Sequence, residues 1–261
     1  MEIFREVLES ELSEPTEGLF KAVYACTLCG ACYEKCKQIT SVEIELPELF
    51  EELREELVEK GWFLESHREI AEKIKETKNA YGEEKNKYEI ESLYYKADTD
   101  ILYYIGCTPR YRVPEIADSM LEIFDKLGTN YQVMEDEWCC GSVLLRTGHV
   151  EDVKELMAHN VEAIKRSGAK TVVFTCPGCL MTFKKSYPDM GLELVHSTQF
   201  LATRLEDMDM KKQDIEVDIC IAVGMQNSDF CSLTSDIYPV SCIFIVLIQI
   251  QKLYAKKSQT L

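Results

Sequence analysis

The sequence lacks the features that would place a chain in a membrane, outside the cell or on nucleic acid. Met1 leads straight into charged residues, with no basic n-region, apolar h-region or cleavage site, so a cytoplasmic location is expected. No apolar run reaches the about 20 residues that a spanning helix requires. The most apolar stretch, VSCIFIVLIQI at 240–250, reads as a buried strand or core segment, with a membrane-surface anchor as the rival. Positive charge is scarce. The 29 Lys and Arg face 46 Asp and Glu, the net charge is −17, and no basic stripe interrupts it. A phosphate backbone would be repelled, which excludes nucleic acid as a partner. Internal repeats are absent too. Much of the acidity lies between Glu43 and Glu91, where Glu and Lys alternate as on a solvated helix face.

What the chain has in excess is cysteine, with twelve in 261 residues. At this length, and with 46% hydrophobic residues, it can bury its own core and has no need of a disulfide scaffold. In a reducing compartment, clustered cysteines bind metal or carry out redox chemistry.

Two structural regimes follow one another along the chain. Residues 1–25 read as a short helical lead-in to a cysteine-rich turn, Cys26–Cys36. Pro47 then suits the first turn of a helix with Leu49, Phe50, Leu53, Leu57 and Val58 on its apolar face, stopped at Gly61. A second polar helix spans about Ser66 to Lys78, and the charged stretch from Asn79 to Asp98 reads as a connector. Beyond Asp100, short apolar runs (Ile101–Ile105, Tyr131–Met134, Thr171–Phe174 and Leu192–Val195) alternate with helical periodicity over Ile116–Leu127 and Val150–Ile164. Gly128 and Gly168 are the expected stops. Strands alternating with helices predict an α/β layer with a mostly parallel sheet.

The first cysteine group is Cys26-x2-Cys29-x2-Cys32-x3-Cys36. Three thiolates at two-residue intervals can wrap three corners of a cubane [4Fe–4S] cluster on one loop. Gly30 suits close backbone approach to inorganic sulfide. Zinc ribbons instead pair two well-separated knuckles. The fourth ligand is left open between Cys36 folding back, a later cysteine, residues upstream of Met1 and a partner chain. The second group is Cys107, Cys139-Cys140-Gly141 and Cys176-Pro177-Gly178-Cys179, one set after each of the first three strands. A parallel sheet would bring all five thiols to the carboxyl ends of its strands, where open α/β sheets place their ligand crevices. Pro177 at a helix start would aim backbone N–H groups at the sulfurs and favour thiolate.

The pattern Cys-x31-Cys-Cys-Gly-x34-Cys-Pro-Gly-Cys resembles the cysteine-rich CCG domain of heterodisulfide reductases. CCG domains also occur in iron–sulfur subunits of glycolate, lactate and anaerobic glycerol-3-phosphate oxidation and in thiol:fumarate reductase. CTLCGACYEKC followed by ELPELFEELREELVEKG resembles the second of the two ferredoxin motifs that often precede CCG domains, and the likeness covers about residues 20–210. The resemblance implies an α + α/β chain: a helical ferredoxin-type module at 1–78, a connector at 79–98, a CCG domain at 99–212, and an atypical tail at 213–261. That tail is expected to be the remnant of a second CCG domain in a truncated or frameshifted chain, with Cys220 as a relic of its opening cysteine and Cys231 and Cys242 matching nothing. The resemblance further implies a noncubane [4Fe–4S] cluster, or zinc, on Cys107, Cys139, Cys140, Cys176 and Cys179. The expected function is electron transfer from the cubane cluster to this second site and on to a small disulfide or another redox protein. That partner would be a flavoprotein, a ferredoxin-like protein or a haem-bearing membrane protein, and through it the chain would sit peripheral to a membrane. Two rivals stand beside this reading: the iron–sulfur subunit of a flavin-linked hydroxy-acid oxidase, and a zinc-stabilised interaction protein without redox chemistry.

Other residues receive simpler readings. Cys176-x2-Cys179 alone would also suit a thioredoxin-like dithiol. His67, His149, His159 and His196 read as structural; Arg110 and Arg112 as salt-bridging, or else as binding an anionic substrate. Tyr103 and Tyr104 belong to the strand core, and Trp138 is placed to shield a cluster from water.

Overall fold

A computed structural model describes residues 14–41, 45–83, 99–134 and 136–205. The residues at 206–261, including Cys220, Cys231, Cys242 and the apolar run at 240–250, lie outside the described residues, as do 1–13 and 84–98.

The helical part begins with α1 (Glu17–Tyr24), whose N-cap Thr16 accepts a hydrogen bond from the Leu19 N–H at 3.1 Å. The cysteine loop and α2 (Ala31–Thr40) follow, then α3 (Leu46–Glu59), with Pro47 in its first turn, and α4 (Glu65–Thr77). Leu19 and Val23 of α1 pack on Leu53 and Leu57 of α3, closed over by Tyr24 and Trp62. In contrast, α2 buries none of its residues.

The α/β part is a four-stranded parallel sheet in the order β2-β1-β3-β4: β1 (Ile101–Tyr104), β2 (Gln132–Val133), β3 (Thr171–Phe174) and β4 (Glu193–His196). β1 pairs with β3 from Ile101↔Thr171 to Tyr104↔Phe174, and with β2 at Leu102↔Gln132 and Tyr103↔Val133. Between the strands run α5 (Cys107–Tyr111), α6 (Glu115–Lys126), α7 (Ser142–Thr147), α8 (Val153–Ser167) and α9 (Pro177–Ser186); α10 (Ser197–Leu205) follows β4. The period-2 alternation of the strands sorts their side chains onto two faces. Leu102, Tyr104, Val172 and Phe174 pack on Ile164 of α8 and on Leu180 and Phe183 of α9. Ile101, Tyr103 and Val173 face Met120, Leu121 and Phe124 of α6 and Phe200 of α10. The expected helical N-terminal part and parallel α/β layer are both present among the described residues; the second half of the expected cysteine-rich turn, from Ala31, is instead the start of α2, and residues 1–13 of the lead-in lie outside the described residues.

The two parts share a core. Ala71 and Ile74 of α4 are buried with Cys139, Leu144, Val153 and Leu156. Lys78, at the end of the expected helix, and residues 79–83, at the start of the stretch expected as a connector, are engaged in the fold: Lys78 O accepts from the Cys139 N–H at 2.8 Å, Asn79 is buried, and Tyr81 Oη lies 2.9 Å from Thr108 Oγ1. The tightest approach is at Gly148, after α7. A Cβ there would stand 2.2 Å from the backbone oxygen of Arg54 on α3, and Gly148 has φ +89°. Gly148→Ala must therefore open this seam, at about 2 kcal/mol or more; a lowered thermal midpoint with the secondary structure retained is the expected result.

Two imidazoles lie at the same seam. His67 meets the Tyr24 ring edge-on at 4.8 Å, and its buried Nδ1 has no partner. His149 Nδ1 lies 3.2 Å from Thr147 Oγ1. Burial holds both below the ordinary histidine range, and His149 and Arg54 push His67 down further. In the unfolded chain both protonate near about pH 6.5. The unfolded state then binds more protons than the folded one, so stability falls as pH drops below that value. Thermal midpoints at about pH 7.5 and about pH 5.5 should show this loss, and His67→Gln should make it smaller.

Candidate metal centre

All three exits from the first three strands lead through cysteine into a helix. Gly106 is the N-cap of α5, whose first residue is Cys107; Cys139-Cys140-Gly141 leads into α7 with Gly141 as N-cap; Cys176 is the N-cap of α9, with Pro177 in its first turn. The chain passes from β1 to β2 on one side and then to β3 on the other, so the carboxyl ends of β1 and β3 flank a topological switch point. The five thiols meet there. Neighbouring thiols shift one another's proton affinity: Cys107 with Cys139, Cys139 with Cys140, Cys140 with Cys179, and Cys179 with Cys176. Cys139, Cys140 and Cys179 are buried; Cys107 and Cys176 are half-buried.

Along this series the protons distribute unevenly. Cys139 and Cys179, followed by the Ser142 N–H, favour the Cys140 thiolate and bring it down to about 6. Cys176 is likewise brought down to about 6, first by Cys179, then by the N–H groups of Cys179 and Gly178, with the charge of Arg146 adding to them. The helix-start N–H groups expected from Pro177 are thus in place. Cys107 is pushed up by its bond to Cys139 and by burial, and Cys179 by its contacts with Cys140 and Cys176. Contact with Cys107 pulls Cys139 down, but contact with Cys140 and burial outweigh it and leave Cys139 raised. Backbone N–H groups of Ala80 and Gly141 also reach sulfur, the latter at 3.5 Å from Cys139 Sγ. A set of soft thiolate donors with amide N–H groups around them fits an anionic iron–sulfur group or a thiophilic metal. No group of three or more His, Cys, Asp or Glu among the described residues is arranged to hold a single metal ion.

The first cysteine group is more open. Leu28 (φ +58°) and Gly30 (φ +74°) bracket Cys29 in left-handed conformations, and Cys32 and Cys36 lie one turn apart on α2. Cys29 and Cys32 are exposed, Cys26 and Cys36 half-buried. No atom stands within 4 Å of a Cβ built on Gly30, so its dihedral angle is the reason for glycine there. The Ala31 N–H, followed by the Thr27 hydroxyl, lowers the pKa of Cys29, and Cys36 Sγ lies 3.4 Å from Thr40 Oγ1. The structure brings the five later thiols close enough to shift one another's proton affinity and places these four on one loop and helix.

The residues that hold the five-thiol site are mostly polar ones that periodicity passes over. Glu137 is buried and accepts from the N–H groups of Ile105 and Gly106 at 2.8 and 2.7 Å, fixing the turn into Cys107; Arg110 lies 3.9 Å away. Burial raises the Glu137 pKa, against the guanidinium and the two N–H groups. Asn160, on α8, accepts from the Trp138 N–H at 3.2 Å and donates to Trp138 O, Cys139 O and Tyr187 Oη. Its signal was available: it falls on the buried stripe of Val153, Leu156 and Ile164, where an amide needs partners. The paired tyrosines of β1 do more than fill the core. Tyr103 Oη is 3.1 Å from Thr175 Oγ1, next to Cys176, and Tyr104 Oη donates to Trp138 O, next to Cys139. Trp138 packs against the same apolar cluster as Cys107, the cluster that includes Cys139, with the His159 ring stacked on it at 3.7 Å and Lys78 Nζ at 4.7 Å. The histidines are all structural in their contacts; His196 Nε2, for instance, is 3.2 Å from Thr175 O. Arg110 and Arg112 pair with Glu137 and Glu83, as salt-bridging arginines should.

The fold and the five cysteines define a class. Residues 101–184 match the cysteine-rich domain family CCG, and the α/β part of this chain is a domain of that family. Over 222 residues, 80% of its length, the chain is 35% identical to one of the subunits of the dihydromethanophenazine:CoB–CoM heterodisulfide reductase of Methanosarcina mazei, and the match covers 51% of that relative. It is 32% identical over 211 residues to one of the subunits of the CoM/CoB fumarate reductase of Methanothermobacter marburgensis (79% of this chain, 42% of that one). An iron–sulfur protein of Methanococcus maripaludis is 28% identical over 214 residues (80% and 42%). The chain thus spans about half the length of the curated relatives it matches. No solved structure matches it. Among the described residues no helix is long and apolar enough to cross a membrane.

Asn160→Ala would remove the side-chain partner of the buried Cys139 carbonyl and of the Trp138 N–H, and should cost about 2–3 kcal/mol. A thermal midpoint lowered well beyond that of a surface Asn→Ala control checks it.

Proposed function

We propose that this chain is an iron–sulfur electron-transfer protein of heterodisulfide-reductase type, working within a larger redox complex. Cys26, Cys29, Cys32 and Cys36 hold a cubane [4Fe–4S] cluster, and Cys107, Cys139, Cys140, Cys176 and Cys179 hold a second [4Fe–4S] cluster of noncubane type. Bound there, the clusters supply a one-electron relay toward a small disulfide or a partner redox protein. The observation that carries the reading is the set of five cysteines drawn from three strand exits to one edge of the sheet, where neighbouring thiols shift one another's proton affinity. A thioredoxin-like dithiol would need only Cys176 and Cys179, and leaves Cys107, Cys139 and Cys140 unexplained. The similarity to part of a heterodisulfide reductase over most of this chain supports the choice within the redox class.

The protein's own part is to bind, orient and exclude water. Helix-start N–H groups at Ser142, Gly178 and Cys179 favour thiolate at Cys140 and Cys176. Glu137 and Asn160 hold the turns that carry Cys107 and Cys139. Trp138 and its His159 stack cover the Cys107–Cys139 side. Each is a lever on cluster stability and potential.

Anaerobic purification tests the proposal. About four to eight irons per chain with matching sulfide and a broad band near about 400 nm are expected, and Cys140→Ser with Cys179→Ser should remove about half of the iron. Stoichiometric zinc without a visible band would refute it.

A further inference from the structure

A buried cation stands between the two cysteine groups. Arg54, on α3, is 5% exposed, and its guanidinium gathers backbone carbonyls from three segments. Nη2 donates to Val23 O at 2.8 Å and to Cys26 O at 2.6 Å; Nη1 donates to Arg146 O at 2.7 Å. Val23 lies in the last turn of α1, Cys26 opens the first cysteine loop, and Arg146 lies in the last turn of α7, the helix entered from Cys139-Cys140. The Tyr24 ring faces the guanidinium carbon at 5.1 Å.

Three carbonyls satisfy hydrogen bonds, but they do not balance a charge. Arg54 forms no ion pair among the described residues, and its buried Nε has no partner. Glu51, one turn away on α3, acts on it only at longer range. This contrasts with Arg110, the other buried arginine, which has Glu137 beside it. A buried cation without an anion is costly, and in a chain of net charge −17 a carboxylate would be easy to supply. The group against which Arg54 is placed is the Cys26 loop.

We propose that Arg54 is a positioning residue whose buried positive charge is the counter-charge of the anionic site on the first cysteine loop, raising the reduction potential there while tying that loop to the end of α7. The inference rests on the cluster assignment above. Reduction adds negative charge to the site, and a fixed, water-excluded cation favours that form more than the oxidised one. The guanidinium is suited to this because its planar fork can hold several carbonyls while the charge stays in place.

The test is an EPR-monitored redox titration of the anaerobically purified full chain. Arg54→Met should shift the midpoint of the N-terminal cluster to lower potential and leave the second site nearly unmoved. Arg54→Gln, which keeps an N–H donor but not the charge, should do the same and serves if Arg54→Met does not fold. Arg54→Lys should stay close to wild type. Iron lost from the folded neutral variants but kept in Arg54→Lys also supports the proposal. An unchanged midpoint in a loaded neutral variant overturns it, as does an Arg54→Lys that shifts or loses iron as far as Arg54→Met, since packing and not charge would then be at work. A wild-type chain free of iron and sulfide would instead refute the cluster assignment itself.

Discussion

The parallel pairing of β1 with both β2 and β3 is the constraint on which the rest of the molecule depends. Because the strands run the same way, their carboxyl ends share one edge, and each exit must turn into a helix to bring the chain back. Cysteine occupies all three exits next to this switch point. A slip of β1 by one residue would exchange Tyr103 and Tyr104 between the two faces of the sheet. It would also unfasten both hydroxyl ties, from Tyr103 to Thr175 and from Tyr104 to Trp138. Each tie ends one residue short of a cysteine. Register and sulfur placement are thus one property, and the central strand staples the exits of both its neighbours.

Electrostatics then has to reconcile buried sulfur with a chain of net charge −17. Around the five thiols this is done with dipoles. Amide N–H groups at the starts of α7 and α9 favour charge at Cys140 and Cys176, and the intervening Cys179 keeps its proton and shares it. Formal charge is used sparingly: Glu137 and Arg110 balance each other where β1 turns into α5. That pair shapes the turn into Cys107 more than it stabilises the fold, since desolvation offsets most of the attraction of a buried pair.

The cysteine spacing and the alternation of strands and helices made much of this legible from the residues. Short runs such as Ile101–Ile105 and Thr171–Phe174 read as strands because apolar β-formers ended at a turn, and the sheet then brought Cys107, Cys139, Cys140, Cys176 and Cys179 together. Residues acting through a neighbour's backbone were not legible. Glu137 reads as one more acidic residue in an acidic chain, yet it caps two N–H groups 31 and 32 residues away. Arg54 looked like a solvated position on a Glu-rich helix, because its three carbonyl partners belong to segments that only tertiary packing unites. Residues 79–83 read as the start of a charged connector and Lys78 as the end of a polar helix, and composition there gave no hint that Lys78 O and Tyr81 would be needed beside the second cysteine group.

The helical part is held to the sheet by a backbone contact, and this bears on how the two cysteine groups relate. α2, which carries Cys32 and Cys36, buries no residue of its own. Its position is inherited from α1 and α3 through Leu19, Val23, Leu53 and Leu57. α3 in turn lies so close to the end of α7 that only glycine fits at 148, and Arg54 crosses the same seam to Arg146. α7 begins directly after Cys140 and its N-cap Gly141, so a short series of contacts runs from the first loop to the second site. The separation of the two groups is therefore set by packing through α1, α3 and α7. A relay between fixed sites needs that rigidity, because a tether that let the spacing drift would leave the transfer distance to chance.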